Sequence, residues 1–80
     1  MGSSQKAGES LVDRQAANST TIASFGYDPI IEVLEVEFHK SGVYQYFNVP
    51  ASVFEQFLAA PSHGVFLNTY IKGQYPFEKA

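Results

Sequence analysis

Tyr44 and Tyr46 flank Gln45 in the stretch Gly42-Val43-Tyr44-Gln45-Tyr46-Phe47-Asn48-Val49-Pro50. Residues two apart on a strand share a face, so the pair presents two neighbouring rings. Facing outward, the rings would stack unpaired bases, as on sheets that bind single strands. Facing inward, they would be core aromatics with hydroxyls bonded at the rim. A second cluster is Ser62-His63-Gly64, followed by Asn68 and Lys72. Serine at a helix start caps amides, and those same amides can hold an anion such as phosphate. The plainer reading is a cap serine, an exposed histidine and a glycine that allows close helix packing.

Lys40, beside His39, would complete a small basic patch with Lys72, but scattered solubilising charge is the preferred reading of these lysines. His39 and His63 are the two histidines, and no His/Cys/Asp set has ligand spacing. A Ser-His pair without supporting groups is not a nucleophilic site. Asp28 and Asn68 read as turn anchors rather than ligands. There is no glycine-rich phosphate loop and no carboxylate pair of clear geometry. The sequence therefore points away from an enzyme, with no catalytic, cofactor or metal residue expected.

Eighty residues hold one domain with a modest core. Cysteine is absent, so neither disulfides nor thiolate metal sites stabilise the chain. Phe and Tyr, 15% of the residues, must supply much of the buried area. The formal charge is -3, the wrong sign for general attraction to nucleic acid or an anionic membrane. This acidity belongs to the domain itself, because only Lys40, Lys72 and Lys79 oppose six carboxylates after Ser19. No apolar run has the length of a membrane span, and Met1-Gly2-Ser3-Ser4-Gln5-Lys6 leads into no signal-peptide segment. The expected location is cytoplasmic.

The elements that position these residues follow from periodicity. Residues 1–18 are rich in Ser, Ala, Gly, Gln and charge, which predicts a disordered tail, with a short helix over 10–17 as the alternative. The ordered domain is expected over 19–80. Thr20 to Phe25 is β-rich and stops at the turn signature Gly26-Tyr27-Asp28-Pro29. Leu34, Val36 and Phe38 then alternate with Glu35 and Glu37, which predicts a strand with the glutamates facing outward. A third strand carries the tyrosines. Past Pro50 the period becomes helical, with Val53, Phe54, Phe57 and Leu58 on one stripe. Pro61 ends that helix, Ser62 caps the next, and its stripe is Phe66, Leu67, Tyr70 and Ile71 up to Gly73. Tyr75, Pro76 and Phe77 form an aromatic tail folded back onto the core. The expected fold is α+β: a three-stranded antiparallel meander followed by two helices packed on one face, in the order β-β-β-α-α.

Loop parity decides where the tyrosines point, because a one-residue slip sends every side chain to the other face. A three-residue loop Lys40-Ser41-Gly42, with glycine in the left-handed position, pairs Phe38 with Tyr44 and Val36 with Tyr46. Both rings then join the apolar face, while Gln45 and Phe47 join the glutamates. An even loop reverses this and drives Gln45 into the core without a partner, an expensive placement. The odd loop is the preferred reading.

The ordered set Gly26-Tyr27-Asp28, Leu34-x-Val36-x-Phe38, Gly42, Tyr44-x-Tyr46, Val49-Pro50, Ser62-x-Gly64, Asn68, Ile71 and Tyr75 resembles the KTSC domain family. That family takes its name from the C-terminal extension of some lysyl-tRNA synthetases and also occurs as small free-standing bacterial proteins. The resemblance covers about residues 19–75. It implies a small non-enzymatic binding module, with RNA (tRNA or single-stranded) as the expected ligand through the association with a synthetase. Tyr44, Tyr46, Lys40, Ser62, His63, Gly64, Asn68 and Lys72 are the candidate ligand-binding residues. Lys72 stands where the family is expected to carry Arg, which has the planar fork suited to phosphate. The alternative is a protein–protein interaction or dimerisation module, using the outer sheet face with Phe47 or the C-terminal aromatic tail.

Overall fold

The structure, a computed structural model, describes residues 12–80. Five antiparallel strands lie side by side in sequence order: β1 (Gln15–Ala16), β2 (Ile22–Asp28), β3 (Val33–Phe38), β4 (Gly42–Tyr46) and β5 (Phe77–Lys79). Between β4 and β5 come α1 (Ala51–Ala59) and α2 (His63–Phe66), the latter continued by a π-helical stretch, Leu67–Ile71. The class is α+β, an antiparallel sheet with two helices. The sheet has five strands rather than three, because β1 and β5 extend both edges of the expected meander.

β1 comes from the segment expected as a tail: Gln15 pairs with Phe25 and Ala16 with Ser24. Residues 1–11 of that expected tail lie outside the described residues. The alternative helix over 10–17 does not form among its described residues. β2 also runs further than expected, through Gly26 and Tyr27 to Asp28. Gly26 serves close approach rather than a turn. A Cβ built there would lie 2.1 Å from the Asp13 carbonyl oxygen, so only glycine lets the incoming segment cross the strand. The turn itself falls at 29–32, where the Asp28 carboxylate accepts from the Ile30 N–H at 2.8 Å.

Register bears out the parity argument and moves its detail. Val36 faces Tyr44, Leu34 faces Tyr46, and Phe38 faces Gly42. The loop is thus His39-Lys40-Ser41, and each tyrosine sits two positions from the expected pairing. A shift of two keeps the face, so both rings remain on the apolar side. Gly42, at φ +93°, supplies the left-handed residue that closes the hairpin.

That apolar side holds the core. Ile22, Phe25, Leu34, Val36 and Tyr46 from the sheet meet Val49, Phe57, Leu67 and Ile71. Pro50 opens α1, its carbonyl accepting from the Val53 and Phe54 amides. Phe57 is completely buried, with ring centroids of Phe25 at 5.0 Å, Phe54 at 6.1 Å and Phe66 at 6.1 Å. Tyr27 stacks on Phe54 at 4.6 Å, and its hydroxyl donates to the Val49 carbonyl. Leu58 and Tyr70, placed by spacing on the apolar stripes, are exposed. Each short helix turns only a limited arc toward the sheet, and these two residues lie on its flank.

The opposite face departs most from expectation. Glu35, expected to face solvent, is fully buried, and Gln45 beside it is 8% exposed. The N-terminal segment crosses this face and brings Arg14 Nη1 to 2.9 Å from Glu35 Oε2. Gln45 Nε2 donates to Glu35 Oε1 at 3.0 Å, and the Ser24 hydroxyl donates to Glu37 at 2.9 Å. A buried carboxylate is tolerable only with such partners. The amide that would have been costly beneath the helices is satisfied here instead. Among the described residues, no helix is long and apolar enough to cross a membrane.

Candidate functional site

Cross-strand pairing across β3, β4 and β5 gathers Phe38, Tyr44, Tyr46 and Phe77 at one margin of the helix-side face. With Ser41, Lys72 and Gly73 they line a depression of about 310 Å³. That is the lower end of the range usual for small-ligand sites. Gly73 has φ +81° and open space where a side chain would stand, so the wall on its side stays low.

Phe38 meets Tyr44 edge to face at 5.5 Å, and Phe77 tilts across both tyrosines with centroids 5.8 Å from each. Tyr46 is buried, Tyr44 half-buried, and Phe77 is 55% exposed. The tyrosines are therefore walls of a concavity rather than a flat solvent platform. Among the described residues neither phenol hydroxyl bonds to a protein group, and neither is a buried unpartnered atom. Burial, with the Tyr44 phenol adding to it, raises the Tyr46 pKa above the ordinary 10.0.

Two ammonium groups stand over this aromatic floor. Lys72 Nζ is 5.7 Å from the Phe38 centroid, and Lys79 Nζ is 5.9 Å from the Tyr44 centroid. The Lys79 stem passes over Gly42, its Cε 3.5 Å from where a Cβ would be. Among the described residues no carboxylate pairs with Lys40, Lys72 or Lys79. The acids lie elsewhere: Asp28 and Glu32 at the other end of β3, Glu37 and Glu78 on the outer face, and Glu35 taken by Arg14. A net-acidic domain thus carries one cationic margin.

The residues singled out from sequence fall in three adjoining depressions. Tyr44, Tyr46 and Lys72 line the first. Lys40 joins Lys72, His39 and Asn68 in the second, about 360 Å³. Ser62, His63, Gly64 and Asn68 line the third, about 380 Å³, against residues 18–21. Lys72 links the first two and Asn68 the last two. Ser62 Oγ accepts from the Val65 N–H at 3.3 Å, as a cap should. A Cβ on Gly64 would press to 3.2 Å from Thr21, so this glycine serves close packing. His63, expected to be exposed, is half-buried and stacks on Phe57 at 4.7 Å. Its ring continues the core aromatic cluster, which explains the difference. Among the described residues, no group of three or more His, Cys, Asp or Glu could hold a metal ion.

Phe38, Ser41, Gly73, Phe77 and Lys79 stand at this site without having been among the candidate ligand-binding residues, Phe38 being read as a core strand residue and Phe77 as part of the aromatic tail. For Phe77 and Lys79 the strand signal was the alternation Phe77-Glu78-Lys79, only three residues long.

Residues 18–75 match the KTSC domain. The chain belongs to the KTSC family. A KTSC domain protein of Yersinia pestis, known from a crystal structure, is similar with a TM-score of 0.84 and 38% identity, over 88% of this chain and 99% of that one. A free-standing protein of Tsukamurella paurometabola is 38% identical over 61 residues, which are 76% of this chain and 91% of that protein. A lysine–tRNA ligase of Nostoc punctiforme is 42% identical over 60 residues, 75% of this chain but only 11% of the ligase. The KTSC domain thus exists both as a small protein and as a minor part of a much larger ligase.

Proposed function

We propose that this KTSC domain is a small RNA-binding module of the bacterial cytoplasm, taking tRNA or single-stranded RNA along the margin formed by Lys40, Lys72 and Lys79. The observation that carries this reading is the charge distribution. Among the described residues three lysines have no carboxylate partner: Lys40 and Lys72 line adjoining depressions and Lys79 stands over the Tyr44 ring, in a protein whose net charge is -3. Local positive potential of this kind tracks a phosphate backbone even when the overall charge is unfavourable. The occurrence of the domain within lysine–tRNA ligases supports the same reading.

Titration of tRNA and a short single strand at two salt concentrations tests it. Three phosphate contacts give a log–log salt slope of roughly -2 for a single strand. Lys72→Gln is expected to flatten that slope by about one contact's worth. Absence of binding to either RNA at low salt overturns the proposal.

A second reading, pairing with another protein or a second copy, is supported by the exposed edge strand β5 and by Phe77 on it. The outer-face version has less room, since the N-terminal segment occupies that face around Glu35 and Phe47 is half-buried. A monomeric mass by light scattering at high protein concentration removes the dimer form of this reading.

A further inference from the structure

We infer that the depression between Phe38, Tyr44, Tyr46 and Phe77 receives one unstacked base, with its phosphate held between Lys72 and Lys79. This rests on the RNA reading and makes it narrower: the ligand must offer an unpaired, extruded base, so duplex is excluded from the depression.

Three observations combine. The floor and walls are aromatic, and its volume of about 310 Å³ suits a single flat ring system and little more. The two ammonium groups stand over Phe38 and Tyr44, rings in mutual edge-to-face contact at 5.5 Å. Each ammonium therefore lies beside an aromatic wall of the depression, where the phosphate of an inserted nucleotide would meet it. Finally, the Tyr44 and Tyr46 hydroxyls lack protein partners among the described residues. They can bond the polar edge of a base.

Other chemistry fits less well. A purely apolar ligand would leave both hydroxyls unpaired and displace ammonium groups from the rings without compensation. A bare phosphate would use the lysines and ignore the aromatic surface. A base that is still paired cannot enter, because its edge and one or both faces are covered within the helix. Phe77 is the movable wall. It lies on a three-residue edge strand and is 55% exposed, so it can swing to close over the inserted ring.

The test compares a short oligouridylate with the same strand annealed to its complement, using wild type, Phe77→Ala and Lys40→Gln. Phe77 is largely exposed, so its removal leaves the fold in place, which far-UV circular dichroism checks. The expected result is tighter binding of the single strand. Phe77→Ala should weaken that binding roughly five-fold to a hundredfold, the usual loss when one stacking ring is deleted. Lys40→Gln should weaken both forms modestly through phosphate contact alone. Should Phe77→Ala perturb the fold, the ring-proton shifts of Tyr44 and Tyr46 on adding uridine monophosphate to wild type decide instead. Equal affinity for single strand and duplex, unchanged in Phe77→Ala, overturns the base site while RNA binding itself stands. Binding of neither form overturns both.

Discussion

Phe57→Ala is expected to destabilise the domain by about 3–5 kcal/mol, the usual range for deleting a buried phenylalanine ring. Phe57 is fully buried, and it joins the sheet to both helices through Phe25, Phe54, Phe66 and His63. Alanine leaves a ring-sized hole among side chains that are themselves aromatic and stiff, which collapses poorly. Small domains have stabilities near the low end of about 5–15 kcal/mol. The variant should therefore be close to unfolded in buffer. Urea denaturation followed by far-UV circular dichroism measures this. Leu58→Ala, one position along and exposed, is the control and should shift the midpoint little. Comparable losses in the two variants would show that α1 does not pack as described.

Gly26→Ala has the second largest expected effect, although it adds only a methyl group. That methyl would collide at 2.1 Å with the Asp13 carbonyl, a backbone atom that cannot swing aside. The segment crossing β2 must then lift, and it carries Arg14 away from Glu35. Removing a guanidinium from a buried carboxylate is destabilising, with about 3–5 kcal/mol as the ceiling for a charge left wholly uncompensated; Glu35 keeps the Gln45 amide. Because the loss runs through Arg14, the two substitutions should not add. Arg14→Ala should be markedly destabilising in the wild-type background and nearly silent beside Gly26→Ala, a double-mutant cycle that isolates the shared mechanism. Full additivity would mean that the glycine acts on β2 alone.

The central architecture was legible because it rests on local periodicity. Alternation from Leu34 to Phe38 located β3, and loop parity placed both tyrosines on the apolar face even though the hairpin closes one residue earlier than expected. Ser62 carried its own capping signal. Glu35 could not be read the same way. A glutamate alternating with apolar residues looks identical whether its face meets water or a guanidinium, and Arg14 lies 21 residues away in a segment of low apolar content. The candidate site was half visible for a related reason. Tyr44 and Tyr46 sit on a strand whose alternation and preceding glycine are readable, and Lys72 follows a helical stripe, whereas Phe77 and Lys79 enter through a three-residue strand whose pattern is too short to register. The π-helical stretch gave no sequence sign either, since Leu67 and Ile71, four apart, suit an ordinary helix as well.

The crossing segment has a consequence for where this domain can be cut. The family match spans residues 18–75, yet Arg14 pairs with the buried carboxylate, and Phe77 walls the aromatic depression. Both lie outside those limits, at opposite ends. A fragment trimmed to the recognisable motif would keep Glu35 and discard its guanidinium, and keep the tyrosines but lose the ring and the ammonium of β5. What sequence comparison can trace in this chain is smaller than what physics requires to hold it together, so a graft into another protein must carry its flanks.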